Sequence, residues 1–215
     1  MSLILKEIKS QNLFDLFFLI CGISLQLIVG ISTHSSLLSI VSGVSGIIAV
    51  ILCAQRKLIA YPFCFLQLFT YIVLAYQQKF YGEIAENIFY FITMIFGIYW
   101  WWVGYDKKNS EIKVKSLSPK LKWLFIIFTI LFTLCLYSIL INTDDTQPLL
   151  DAVSTIPALS AQLLLMARYK ENWYYWLVID LASIVMWSIA DNWVMVVQFI
   201  FWSINCIYGI YKWRR

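Results

Sequence analysis

The feature that most constrains this chain is a series of apolar runs, each long enough to cross a lipid bilayer. Eight such runs follow one another along 215 residues, and a helix of about 20 apolar residues spans the hydrocarbon core. Because the runs are continuous rather than short and alternating, a transmembrane barrel is excluded. Hydrophobic residues make up 61% of the chain and charged residues only 13%, whereas soluble domains are far more polar. The sequence therefore predicts an all-α integral membrane protein with eight transmembrane helices. The predicted spans are Leu13–Thr33, Leu37–Ala54, Leu58–Tyr76, Ile84–Gly104, Leu121–Ile141, Leu150–Ala167, Trp173–Ala190 and Trp193–Tyr211.

Basic residues in the loops indicate how these spans are oriented. If the N-terminus is cytoplasmic, Lys79 is the one basic residue of 16 that falls outside. The outer loops carry Asp144, Asp145 and Asp191 instead. This distribution follows the positive-inside rule and predicts that both termini are cytoplasmic. The net charge of +4 therefore indicates orientation, and we expect no nucleic-acid partner.

The chain also contains an internal repeat with an offset of 112 residues. Glu86–Trp101 reads ENIFYFITMIFGIYWW, and Gln198–Trp213 reads QFIFWSINCIYGIYKW, so that Gly97 meets Gly209. Since the offset covers four spans, an even number, the two copies are expected to cross the membrane in the same direction. The sequence thus predicts two parallel three-helix repeats joined by a connector helix (3+1+3), plus one extra N-terminal helix. The predicted segments are 1–36 with the extra helix, 37–104 as the first repeat, 105–149 as the basic loop and connector helix, and 150–215 as the second repeat.

Polar side chains at bilayer depth mark the candidate site, because an ionisable group there costs roughly 3 kcal/mol or more. Steps of three and four residues place the polar residues of the last span on one face of its helix. Their repeat partners fall on the fourth span, and a further carboxylate lies in the middle of the seventh. The residues selected in this way are Glu86, Tyr90, Asp180, Trp187, Gln198, Trp202 and Asn205. The structural alternative is a carboxylate satisfied by a neighbouring hydroxyl or by a helix N-terminus.

Amides, carboxylates and aromatic rings together suit a flat, polar aromatic ligand, whether neutral or cationic. The tryptophans at the span ends have a different expected role. Trp100–Trp102, Trp173 and Trp213 are expected to lie in the aromatic belts at the membrane surface.

Enzymatic chemistry has little support in this sequence. The single histidine, His34, lies in a short predicted outer loop, so no Ser–His pair or histidine metal site can be assembled. The five cysteines form no CxxC pair and indicate neither a metal site nor a disulfide framework. No phosphate-binding glycine loop is present. We therefore expect no enzyme activity, no cofactor and no metal.

Three stretches resemble the PnuC family of bacterial vitamin transporters. These are Lys79–Trp101 (KFYGEIAENIFYFITMIFGIYWW), Arg168–Val185 (RYKENWYYWLVIDLASIV) and the terminal GIYKW. The resemblance implies a 3+1+3 core, a homotrimer in the bacterial inner membrane, and facilitated diffusion (uniport) of nicotinamide riboside into the cytoplasm. In that family, phosphorylation of the vitamin inside the cell draws uptake onward.

The same resemblance implies substrate contacts on the third, fourth, seventh and eighth spans. By position these contacts are Gln67, Asn87, Asn192, Trp193 and Gln198. Glu86 and Asp180 depart from the family pattern, which has an amide or an apolar residue at these positions.

Three alternatives to nicotinamide riboside uniport follow from the same residues. The first keeps the fold and changes the ligand to another vitamin such as thiamine, whose cationic ring suits Glu86 or Asp180. A second is a proton-coupled carrier in which these carboxylates relay protons. The third is a membrane scaffold without transport activity, which the polar helix faces disfavour.

Overall fold

The computed structural model describes Glu7, Gln11 and residues 13–214, and residues 13–214 form eight α-helices and one short β-hairpin. The predicted all-α fold is confirmed, and the helix bounds differ from the predicted spans by a few residues. The elements are α1 (Leu13–Ser32), α2 (Leu37–Ala54), α3 (Ala60–Gln77), α4 (Tyr81–Val103), β1 (Tyr105–Asp106), β2 (Glu111–Ile112), α5 (Pro119–Leu140), α6 (Pro148–Met166), α7 (Asn172–Ile189) and α8 (Trp193–Lys212).

Six of these helices, α1, α2, α4, α5, α6 and α8, are long and apolar enough to cross a membrane. The protein is therefore a multi-pass membrane protein. The other two, α3 and α7, have 18 residues each and bury polar side chains such as Tyr71 and Asp180. A helix that buries polar groups inside a bundle needs less overall hydropathy than one that faces lipid.

Six helices form a closed ring in the order α2, α3, α4, α6, α7 and α8, with α8 in contact with α2. Helix α1 packs outside the ring against α2 and α8, and α5 packs outside it against α6 and, more weakly, α4. The first span, which has no repeat partner in the sequence, thus has a positional counterpart in α5. The division into two three-helix repeats remains a prediction, which these contacts support.

Local sequence explains where several helices begin. The Ser36 hydroxyl accepts a hydrogen bond from the backbone N–H of Ser39 at 3.1 Å and caps α2. Ser118 caps α5 in the same way and is followed by Pro119, whose fixed φ suits the first helical position. Asn192 caps α8. These caps position the helix starts around the ring.

Turns at equivalent positions of the two copies share an unusual backbone conformation. Arg56 and Arg168 have φ values of 60° and 68°, and Lys79 and Asp191 have values of 59° and 54°. Each of these residues follows a helix, where a left-handed residue commonly ends the helical hydrogen-bonding pattern. The repeat offset therefore relates the backbone as well as the side chains.

Two ring pairs close the end of the bundle that carries the β-hairpin, called the hairpin end below. Tyr61 and Trp101 lie 5.6 Å apart between ring centroids at 85°, and Trp173 and Trp213 lie 5.6 Å apart at 81°. The expected position of Trp101, Trp173 and Trp213 in an interfacial belt is wrong, because all three are buried. Trp100 is exposed, as an interfacial residue should be.

Two of these three buried indoles find hydrogen-bond acceptors across the ring. Trp101 Nε1 donates to the backbone oxygen of Leu165 near the end of α6 at 3.2 Å. Trp213 Nε1 donates to the oxygen of Ala54 at the end of α2, also at 3.2 Å. Both acceptor carbonyls lie in the last turn of a helix, where carbonyl groups are available to partners from outside the helix. The two indoles therefore join the end of each copy's third helix to the end of the other copy's first helix.

Candidate functional site

A central cavity lies inside the six-helix ring and holds about 130 Å³ of space for the centres of water molecules. All six ring helices contribute to its wall. Enclosed cavities that combine apolar and aromatic walls with a few polar groups are typical of small-molecule sites. Seven of the eleven residues selected from the sequence line this cavity. They are Gln67, Glu86, Asn87, Tyr90, Asp180, Trp202 and Asn205.

Gln198 lies beside the cavity rather than on its lining. A side chain built at Gly46 would place its Cβ 2.8 Å from Trp202 Cζ2 and 3.0 Å from both Gln198 Nε2 and Gln67 Cγ. The absence of a side chain at Gly46 therefore lets α8 and α3 approach α2 closely. Gln198 is buried, and neither of its amide atoms has a hydrogen-bond partner among the described residues.

Three of the selected residues lie away from the cavity. Asn192 occupies the cap of α8, where its Oδ1 accepts from the N–H of Met195. Trp193 is half exposed, and its indole donates to Asp191 at 2.8 Å. Trp187 is fully buried in the core between the cavity and the end of the bundle opposite the hairpin, called the far end below.

A polar network at the far end joins α3, α4, α6 and α7. Tyr71 OH donates to Glu83 Oε2 at 2.8 Å and accepts from Trp187 Nε1 at 3.0 Å. Ser154 donates to the other Glu83 oxygen at 2.7 Å. Asp151 accepts from the backbone N–H groups of Gly82 and Glu83. Tyr71 and Glu83 also line the cavity, so this network forms its wall towards the far end.

Several buried polar atoms on the cavity wall have no hydrogen-bond partner. The atoms Asp180 Oδ1, Trp202 Nε1 and Asn205 Oδ1 are buried and make no hydrogen bond to described residues. Buried polar groups are normally paired, so several unpaired ones around one cavity indicate a place for a polar ligand. Donors and acceptors are both present, which suits a ligand that carries both kinds of group.

The cavity lies between residues that are equivalent in the two copies. Nine such pairs line it, and in four of them a polar amide or carboxyl side chain lies opposite an apolar one. These four pairs are Val50 and Gln162, Gln67 and Ile179, Leu68 and Asp180, and Asn87 and Phe199. An asymmetric ligand between two similar halves would require such differences.

Sequence reasoning missed several residues of the wall. Gln162 lines the cavity and donates to Thr93 Oγ1 at 3.2 Å. The sequence does indicate this residue, because Gln162 is polar where its equivalent in the other copy, Val50, is apolar. Trp173 and Trp176 also line the cavity. Trp173 was missed because its position at a span end is typical of a belt residue.

Charged groups close the hairpin end beneath the cavity. Arg56 forms an ion pair with Glu111 of the hairpin, and burial lowers the pKa of the neighbouring Lys57, whose Nζ donates to the backbone oxygen of Ser110. Burial would raise the pKa of Glu171, but hydrogen bonds from the Leu117 N–H, Lys122 and Ser116 outweigh it and lower the pKa. The loop before α5 is thereby attached to the start of α7.

A ring of apolar helices around a polar and aromatic cavity defines a class of protein, the helical membrane transporters. Residues 36–215 match the family described as "Nicotinamide mononucleotide transporter", and the chain belongs to this family. The resemblance stated from the sequence is therefore confirmed, and the family description names a transporter.

Individual relatives agree over nearly the whole chain. The protein is 28% identical over 206 residues to the "Nicotinamide riboside transporter PnuC" of Haemophilus influenzae, covering 94% of this chain and 90% of that one. It is 24% identical over 214 residues to the protein of the same name from Neisseria mucosa, covering 94% and 81%. Its fold is similar to that of the solved structure described as "Crystal structure of the Vitamin B3 transporter PnuC", with a TM-score of 0.83 and 24% identity. The similarity covers 95% of this chain and 92% of that one.

Proposed function

We propose that this protein carries nicotinamide riboside across the membrane by facilitated diffusion, as a uniporter. The observation that carries the proposal is the closed cavity between the two copies, with amides, aromatic rings and unpartnered polar atoms on its wall. The names of the two relatives support the choice of ligand. Aromatic rings stack on a flat pyridinium ring, and amides such as Gln67 and Asn87 can pair with its carboxamide.

The charges around the cavity favour the riboside over the phosphorylated mononucleotide that the family description names. Within the part of the chain that the structure describes, no Lys, Arg or His lines the cavity, whereas Glu83, Glu86 and Asp180 do. Phosphate sites in proteins use Arg, Lys or exposed backbone N–H groups. A phosphate beside three carboxyl groups would be repelled, so the transported molecule should lack one.

Several further features belong to this proposal. We place the protein in a bacterial inner membrane with both termini in the cytoplasm, because the basic residues of its loops follow the positive-inside rule. Uptake would be drawn onward by phosphorylation of the vitamin inside the cell. The assembly would be a homotrimer of chains with two parallel three-helix repeats, as the resemblance implies, and its mass in detergent would test this.

The direct test of the transport mode uses proteoliposomes and labelled nicotinamide riboside. Uniport predicts that the label equilibrates across the membrane without a proton or sodium gradient. Accumulation above equilibrium in vesicles that contain no kinase would contradict facilitated diffusion. Absence of any uptake by protein that is folded in the vesicles would contradict the transport function itself.

Thiamine transport on the same fold is the second candidate. Glu86 and Asp180 suit it because one carboxyl group can face the cationic thiazolium ring while the other accepts a hydrogen bond from the aminopyrimidine. Titration of the purified protein with each vitamin separates the two functions. Tighter binding of thiamine than of nicotinamide riboside would replace the proposed substrate.

A proton-coupled carrier is the third candidate, because buried carboxyl groups can relay protons. It predicts that Asp180→Asn and Glu86→Gln change the dependence of uptake on pH. Uptake whose pH dependence is the same in both variants as in the unmodified protein would remove its support.

A further inference from the structure

Two kinds of buried carboxyl group occur inside the helical ring. Asp151 accepts hydrogen bonds from two backbone N–H groups, and Glu83 accepts from Tyr71 and Ser154. Both oxygens of each of these groups are therefore satisfied within the protein. Such groups have a structural explanation, because they join neighbouring helices.

Asp180 and Glu86 are different. Asp180 is 1% exposed, its Oδ1 has no partner, and its Oδ2 accepts only from the thiol of Cys206 at 3.3 Å. Glu86 is 5% exposed, and the polar side chain beside its carboxyl group is Tyr90 of the same helix. Asp180 and Glu86 both line the cavity, from α7 and α4 respectively. The unsatisfied oxygen of Asp180 belongs to the cavity rather than to the packing between helices, and among the described residues the carboxyl group of Glu86 joins no neighbouring helix.

A carboxyl group in such a place is stable as an anion only beside a positive charge and otherwise binds a proton, since burial of an unpaired charge is strongly unfavourable. Among the described residues of the lining there is no basic side chain, and no group of three or more potential metal ligands exists in the described chain. The wall instead presents the rings of Tyr90, Trp176 and Trp202. Aromatic faces and carboxylates together bind organic cations.

We propose that Asp180, assisted by Glu86, is the counter-ion for a permanently charged aromatic ring, so that the protein selects the cationic form of its ligand over a neutral one. This inference rests on the proposed function in one respect, namely that the cavity is the ligand site. It does not depend on which vitamin is carried. It assigns a specificity role to two carboxyl side chains of the cavity wall.

Pairs of ligands that differ in charge but little in shape provide the test. Nicotinamide riboside carries a pyridinium ring, and its dihydro form is neutral with the same substituents. Thiamine carries a thiazolium ring, and 3-deazathiamine is its neutral isostere. Binding of each compound to the purified full-length protein is measured by calorimetry. For the pair that binds, the cation should bind at least tenfold more tightly, which corresponds to about 1.4 kcal/mol.

Variants assign this preference to the carboxylates. Asp180→Asn should weaken binding of the cation about tenfold or more and leave the neutral partner unchanged or tighter. Glu86→Gln should act in the same direction. The matched control is Asp144→Asn, which removes an exposed carboxylate outside the cavity and should change neither affinity. Retained binding of the neutral compound also shows that each variant is folded.

The outcomes separate this inference from the proposed substrate. Equal affinity of the unmodified protein for the charged and neutral members of a pair would overturn the inference and leave the transport proposal intact. A uniform loss of both affinities in Asp180→Asn and in Glu86→Gln would also overturn it. Preference for thiamine over its deaza isostere, without binding of nicotinamide riboside, would support the inference and overturn the proposed substrate.

Discussion

The Tyr71 hydroxyl provides a sharp test of the far-end network, because one atom joins three helices. It donates to Glu83 on α4 and accepts from Trp187 on α7. Tyr71→Phe removes this atom and keeps the ring that packs at 5.6 Å from Trp187. The substitution therefore tests hydrogen bonding with little change in packing volume.

The expected loss follows from the two bonds. Interhelical hydrogen bonds in membrane proteins contribute about 0.6 kcal/mol each on average and up to about 1.7. A buried donor or acceptor left without a partner costs roughly 1–3 kcal/mol. Glu83 keeps its bond from Ser154, so part of its stabilisation remains. We expect Tyr71→Phe to lower the free energy of unfolding by about 1–3 kcal/mol.

Thermal unfolding of the ligand-free protein in detergent measures this effect. For a chain of this size, each kcal/mol corresponds to about 2–4 °C in Tm. The matched control is Tyr76→Phe, the same chemical change at an exposed position of the same helix. If both variants unfold within about 1 °C of each other, the network does not hold these helices together and the reasoning is refuted.

Three further predictions concern the cavity and the hairpin end. Trp202→Ala removes a ring of the cavity wall and should weaken vitamin binding about 5–150-fold, since stacking on an aromatic ring contributes about 1–3 kcal/mol. Calorimetry measures this affinity, and Trp123→Ala at an exposed position is the control that should bind the vitamin normally. Gly46→Val would press on Trp202 and Gln198 and should lower uptake into proteoliposomes strongly, whereas unchanged uptake would show that α2 does not shape the site. The interactions that lower the pKa of Glu171 favour its charged form in the folded protein, so they stabilise the fold at neutral pH. This stabilisation declines as the pH falls below the ordinary glutamate pKa of about 4.3, and it is lost once the pH has passed through the lowered pKa of the folded protein. Glu171→Gln should therefore lower Tm at pH 7 and reduce the fall in Tm on acidification, and equal acid sensitivity of both proteins would contradict this.

The positions of the helices could be predicted because membrane insertion imposes a simple rule on sequence. An apolar run of spanning length has few alternatives to a helix, and the Gly97 and Gly209 alignment revealed the internal repeat. The ring itself could not be predicted in this way. Contact between α4 and α6, and between α8 and α2, depends on packing between segments that are distant in sequence.

Polar residues within the spans could be selected from the sequence because burial in a membrane leaves few explanations for them. Asp180 and Asn205 were selected on this basis, and both line the cavity. Trp187 was selected as a deep aromatic residue, but its indole is used by the hydrogen bond to Tyr71. Asn192 immediately precedes a helix, and its amide is used as the cap. Depth in the membrane thus identifies residues that need a partner, but it does not distinguish a ligand from another side chain.

Comparison of the two copies separates these roles better than depth does. At the hairpin end, the aromatic pairs of Trp101 and Trp213 occur at equivalent positions with nearly the same geometry, because both copies must solve the same packing problem. Around the cavity, Asp180 faces the same space as its apolar equivalent Leu68. Residues that serve only packing are expected to be similar in the two copies, whereas a ligand without two-fold symmetry requires different groups on its two sides. The equivalent positions that differ in polarity are therefore where we expect specificity to be set.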